Sequence, residues 1–204
     1  GAYGFFNSMR ETDNQVVVAG EGRRTAQDSW HNWLIKANIG EEGALIWERH
    51  NEIGELATCN TIISCEGGFV VSGMALRNTI YSAYIAKINH EGELQWDHIL
   101  DCGTYLEIGW CLAKTAGGSY AIAGRAENFR SPYKMPMMIR TTSEGTEQGR
   151  SYHDFGDRGG FQPGYTQFYS CIVGLDNSLI AAGNVNTNAT GYDGLIMKWA
   201  PDQD

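Results

Sequence analysis

One short motif occurs four times in this 204-residue chain, and it restricts the possible folds more than any other feature. Gln15-Val16-Val17-Val18-Ala19-Gly20, Gly68-Phe69-Val70-Val71-Ser72-Gly73, Ser119-Tyr120-Ala121-Ile122-Ala123-Gly124 and Ser178-Leu179-Ile180-Ala181-Ala182-Gly183 each run apolar residues into a glycine. Their terminal glycines are 53, 51 and 59 residues apart. Between 14 and 16 residues further on, a cation closes a second apolar run, at Lys36, Lys87, Arg140 and Lys198. A Glu-Gly turn follows at Glu42-Gly43, Glu91-Gly92 and Glu144-Gly145, and four residues past its glycine stands Trp47, Trp96 or, out of pattern, Gly149. The run Phe5-Phe6-Asn7-Ser8 up to Asp13-Asn14 matches Phe168-Tyr169-Ser170-Cys171 up to Asp176-Asn177. A unit of about 50 residues cannot bury its apolar surface alone, so the copies must stack on one another.

Each unit holds short strand candidates, which in the second are Thr58–Ser64, Phe69–Ser72, Ala83–Asn89 and Leu94–Leu100. They are rich in β-branched and aromatic residues, with Asp-Asn, Gly-Gly or Glu-Gly turns between them. No helical period persists beyond a turn. The expected fold is all-β: a single β-propeller domain, 1–204, of four antiparallel blades at about 3–54, 55–103, 104–156 and 165–204. The fourth unit stops at Lys198-Trp199-Ala200-Pro201-Asp202, where a turn and a last strand would follow, so fifteen strands of sixteen are expected. Three architectures fit: a closed four-bladed ring with one three-stranded blade, which is favoured, half of an eight-bladed ring of two chains, or a piece of a larger propeller.

Composition narrows the functional classes. Charged residues are 19% and glycines number 26, which suits a folded, turn-rich β protein and neither a disordered chain nor a helical bundle. A net charge of −9 argues against nucleic acid, whose binders carry a basic stripe. No apolar run approaches the roughly 20 residues of a membrane helix, and no charged-then-apolar leader opens the chain. The five cysteines, Cys59, Cys65, Cys102, Cys111 and Cys171, match no zinc or redox spacing. Most sit among strand residues as small apolar groups, and Cys102 with Cys111 flank one loop and could pair in an oxidising compartment.

The order Gly68-Phe69-Val70-Val71-Ser72-Gly73, then Tyr84-Ile85-Ala86-Lys87-Ile88-Asn89, then Glu91-Gly92-Glu93-Leu94-Gln95-Trp96 resembles the repeats of secreted and cell-surface β-propellers of bacteria and archaea. The resemblance spans nearly the whole chain and implies a secreted or surface location, with the cytoplasm left open. It is specific for the repeat and implies no activity. The Gly43–Trp47 and Gly92–Trp96 stretches are similar, more faintly, to quinoprotein propeller repeats.

By antiparallel geometry, the long and irregular loops between second and third strands, and between blades, share one face of such a ring, and variable loops on a rigid scaffold are where ligands bind. The candidate ligand-binding residues there are Trp30, His31, Tyr81, Tyr105, Trp110, Phe129, Arg130, Tyr133, Arg158 and Tyr192, rings beside donors that suit sugar or peptide. The competing expectation for each ring is packing against the next blade, and Trp47 and Trp96 are assigned to that role because their position recurs. The motifs of serine hydrolases, zinc proteases, phosphate loops and calcium loops are absent, so no cofactor or metal is expected. The expected function is a non-catalytic binding or scaffold propeller with a glycan, peptide or protein partner, as monomer or homodimer. The alternatives are a polysaccharide hydrolase or lyase using Glu107, Asp154 and Asp157, and a purely structural module. Asn188-Ala189-Thr190 is a glycosylation sequon that matters only in a eukaryote.

Overall fold

The computed structural model describes residues 3–40, 43–101, 105–128, 134–153, 166–187 and 191–200. Among them lie fifteen strands in four antiparallel sheets of three or four strands. The first sheet is β1 (Tyr3–Thr12), β2 (Gln15–Arg23), β3 (His31–Asn38) and β4 (Leu45–Asn51). The second is β5 (Leu56–Cys65), β6 (Gly68–Arg77), β7 (Ile80–Asn89) and β8 (Leu94–Ile99). The third is β9 (Tyr105–Lys114), β10 (Tyr120–Asn128), β11 (Lys134–Thr141) and β12 (Glu147–Tyr152). The fourth is β13 (Gln167–Val173), β14 (Leu179–Thr187) and β15 (Gly191–Trp199). Each is a meander in which consecutive strands are neighbours, the arrangement that short hairpin turns enforce. No helix among the described residues is long and apolar enough to cross a membrane.

The chain divides into two compact units, Gly1–Asp101 and Cys102–Asp204. In the first unit β5 packs on β1, β2 and β3, and in the second β13 packs on β9, β10 and β11. The same pair of sheets is thus built twice. In the first unit Val17, Ala19, Leu34 and Trp47 of one sheet meet Cys59, Ile62, Phe69, Val71, Tyr84 and Ala86 of the other. In the second, Ala121, Ala123 and Met138 meet Phe168, Cys171, Leu179, Ala181, Leu195 and Met197. Alternation along each strand sends every second residue to one face, so the apolar motif lines both faces of its sheet.

The repeated terminal glycine has a structural cause that recurs four times. Opposite each, the first strand of its sheet carries a bulge, at Asn7, Asn60, Trp110 and Tyr169, where the register shifts by one residue. The bulge presses a carbonyl against the glycine. A Cβ built on Gly20, Gly73, Gly124 or Gly183 would lie 1.8, 1.9, 1.9 or 1.8 Å from the carbonyl oxygen of Phe5, Thr58, Ile108 or Gln167. The glycine is therefore required for room, and no positive φ is involved.

Bulge alignment makes Phe6, not Phe5, the structural counterpart of Phe168, since these pair with Gly20 and Gly183. The one-residue difference is absorbed in the hairpin. Asp13-Asn14 form a two-residue turn with both φ positive, whereas the fourth sheet uses Gly174–Ser178, closed by hydrogen bonds from Gly174 N to Ser178 O and Asn177 N to Gly174 O.

Burial separates the thiols. Cys59 is sealed in the first unit's core, and that desolvation pushes its pKa from 9.0 to about 12. The adjacent Cys171 sulfur and burial push the Cys111 thiol up as well. In the native protein at pH 8, Cys59 and Cys111 are expected to resist iodoacetamide while the half-buried Cys65 and Cys171 react first, as peptide mass mapping will read. Because the folded pKa of Cys59 is raised, its contribution to stability is intact below about pH 9 and declines as pH climbs toward about 12.

Candidate functional site

Across the third and fourth strands of the sheets, the repeated cation faces the repeated tryptophan: Lys36 pairs with Trp47 and Lys87 with Trp96. In the third sheet Arg140 pairs with Gly149. The consequence of that exchange is visible by comparing the two units. Trp47 is buried between the first and second sheets, and its Nε1 donates to the His90 carbonyl at 3.0 Å. The Arg49 guanidinium lies 5.9 Å from its ring centroid. Trp96 is half-buried with its ring 5.5 Å from that of His98.

Where the second unit has Gly149, a cleft of about 900 Å³ opens instead. Its floor is one face of the third sheet, Met138 and Arg140 on β11 with Ser151 and Gly149 opposite them on β12. One wall is the pair of turns that join the first two strands of each sheet, Thr115–Ser119 and Asn177, tied together by Ala116 N donating to Asn177 Oδ1 at 3.2 Å. The other wall is Trp199 and Ala200 at the end of β15. Arg140 Nη2 donates to the Ala200 carbonyl at 2.9 Å and so spans the cleft's end. Trp199 is half-buried, held edge-on by Phe168 at 5.5 Å and His153 at 6.1 Å. A ring held rigid by its neighbours, beside amides, hydroxyls and a guanidinium, suits an amphipathic ligand.

A charged network runs from Arg150 of β12, which also lines the cleft. Arg150 Nη1 donates to both Glu107 oxygens, at 2.8 and 2.9 Å, and its Nε to Glu147 Oε1 at 2.7 Å. The Tyr152 hydroxyl donates to Glu107 Oε1 at 2.5 Å. Desolvation lowers the Arg150 pKa, but the bonds to Glu147 and Tyr152 and the Glu107 charge overcome it and hold the guanidinium above its ordinary range. Glu107 is fully buried and accepts from both Arg150 and Tyr152. The companion acids expected with it, Asp154 and Asp157, lie outside the described residues.

The long-loop end of the sheets is only partly described. Phe129, Arg130, Tyr133 and Arg158, the Tyr105 side chain, Cys102 and the sequon Asn188-Ala189-Thr190 lie outside the described residues. Trp30 and His31 do come together with neighbours. Trp30 stacks on Phe5 at 5.9 Å, and the Arg23 guanidinium lies 5.1 Å from the Trp30 ring and 5.4 Å from Tyr3. Beside them four buried polar atoms have no hydrogen-bond partner among the described residues: Arg23 Nε, His31 Nδ1, Asn32 Oδ1 and Asn51 Nδ2. They belong to adjacent strands, with Asn32 paired to Asn51, and Asn32 is wholly buried. Buried polar groups are nearly always satisfied, so this cluster is set for water or a ligand. Trp110 is the bulge residue of β9, half-buried, with its Nε1 unpartnered among the described residues. Tyr81 is half-buried on β7 opposite Leu76, and Tyr192 is exposed on β15. These three stand on separate sheets.

The cleft residues Arg140, Gln148, Ser151 and Trp199 were not among the residues expected to bind. The one sequence signal that pointed to them was Gly149, the position where the tryptophan of the other repeats is lost. No protein-family model matches the chain, and a search of curated proteins finds no significant match.

Proposed function

We propose that the four meander sheets are blades of a β-propeller and that the protein is a non-catalytic binding module, secreted or held at the cell surface, that takes a glycan in the cleft over Gly149. The observation that carries this reading is the exchange of Trp47's counterpart for a glycine, which turns a filled joint between sheets into an open cleft with a fixed indole wall. Hydroxyls of Thr115, Ser119 and Ser151 and amides of Gln148 and Asn177 line it, and a sugar ring offers the matching apolar face and hydroxyl rim. Packing of each pair's first strand onto its neighbour and the fourfold motif support the blade reading.

A glycan array followed by calorimetry tests it. Wild type is expected to bind at least one glycan, and Gly149→Trp, which refills the cleft as Trp47 fills its joint, is expected to weaken that binding by about a hundredfold or more. Binding that survives Gly149→Trp unchanged places the ligand elsewhere. A second reading has one specific support, the unpartnered atoms beside Trp30 and His31. On that reading Trp30→Ala and His31→Ala abolish binding while Gly149→Trp does not. A peptide found where no glycan binds would overturn the sugar assignment and keep the cleft.

A further inference from the structure

The sheet pair built in each unit has two complementary halves, and one copy of each half faces solvent. On the second sheet, the half that covers the first is Cys59, Ile62, Phe69, Val71, Tyr84 and Ala86. Strand register makes their equivalents on the first sheet Phe6, Met9, Val16, Val18, Trp33 and Ile35, since Phe6 and Trp33 flank Gly20 as Cys59 and Tyr84 flank Gly73. There Phe6 is 45% and Met9 63% exposed. The half that is covered consists of Val17, Ala19 and Leu34 in the first unit and Ala121, Ala123 and Met138 in the second. Its equivalent on the fourth sheet is Ile180, Ala182 and Ile196. Ile196 is 76% exposed and Ile172, paired with Ile180, is 58% exposed.

We propose that a second copy of this chain covers both faces, the fourth sheet of each protomer seating on the first sheet of the other. The seating continues an interface the chain already makes twice, between equivalent residues on equivalent strands. Apolar patches of this kind mark association surfaces, and a two-fold axis makes the two contacts identical and closes the assembly.

Light scattering on a size-exclusion column, over a dilution series, is expected to give twice the 22.5 kDa chain mass. Ile196→Glu and Met9→Glu each place a charge in one face. Each alone is expected to raise the dissociation constant by about a hundredfold or more, as a buried unpaired charge does, with an unchanged circular dichroism spectrum. Mixing the two variants leaves one intact contact, the sheet-four face of the Met9→Glu chain on the sheet-one face of the Ile196→Glu chain, and is expected to restore part of the pairing. A wild-type mass of one protomer at every concentration overturns the proposal, as does a ladder of masses, which would mean copies adding without closure. Variants that keep the two-copy mass overturn it too.

Discussion

Gly73→Ala is expected to destabilise the protein by about 3 kcal/mol, the upper part of what overpacking usually costs. The new Cβ would stand 1.9 Å from the Thr58 oxygen and 2.9 Å from its carbonyl carbon. The obstacle is backbone, held by the bulge and by the ladder on either side, so no side-chain rotation relieves it. Gly149→Ala is the control: nothing lies within 4 Å of its Cβ, and its stability is expected to stay within about 0.5 kcal/mol of wild type. Urea titrations of the two variants, followed by tryptophan fluorescence, separate a glycine kept for space from one that leaves space. Equal midpoints would refute the bulge explanation of the repeat.

Arg150→Met is expected to cost about 3 to 5 kcal/mol, the usual penalty for stranding a buried charge. Glu107 is fully inaccessible, and it accepts two bonds from the Arg150 guanidinium and one from the Tyr152 hydroxyl. Removing the guanidinium takes the counter-charge from a buried carboxylate. Replacing both groups, as Glu107→Leu with Arg150→Met, is expected to recover most of the loss, because the isolated charge is then gone. A double-mutant cycle in denaturant measures the coupling. If Arg150→Met alone is near neutral, the network is a surface feature and Glu107 is open to solvent.

Much of the architecture was legible in the primary structure because its signals are local and periodic. Alternation around Val16–Gly20 and its copies, the turn residues between them and the recurrence near 50 residues foretold strands, their number and the meander of each sheet. In the second sheet β5, β6 and β7 extend beyond the expected bounds, β6 covering Gly68–Arg77 rather than Phe69–Ser72, while β8 ends at Ile99, one residue short of the expected Leu100; the extension comes because cross-strand pairing carries on into residues of weak β preference such as Gly73 and Ala75. Trp47 took the packing role that its recurrence foretold.

The site was less legible. Attention to variable loops favoured rings such as Trp30 and Tyr192, while the described cleft lies at the opposite, turn end of the sheets. Tyr84, three residues from the loop candidate Tyr81, is fully buried, its hydroxyl accepting from Asn32 Nδ2 at 2.8 Å. A ring's type says nothing about whether a neighbouring sheet will cover it.

The sequence by itself determined which residues form strands, where they turn and that one unit lacks the tryptophan of its fellows, since each depends on a residue and its near neighbours along the chain. Only the tertiary structure decided what the repeated glycine is for, what Glu107 is bound to and that losing the tryptophan opens a cleft. Those outcomes turn on contacts between residues about 15 to 60 positions apart, where a carbonyl, a guanidinium or an empty volume is set by packing that no local pattern encodes.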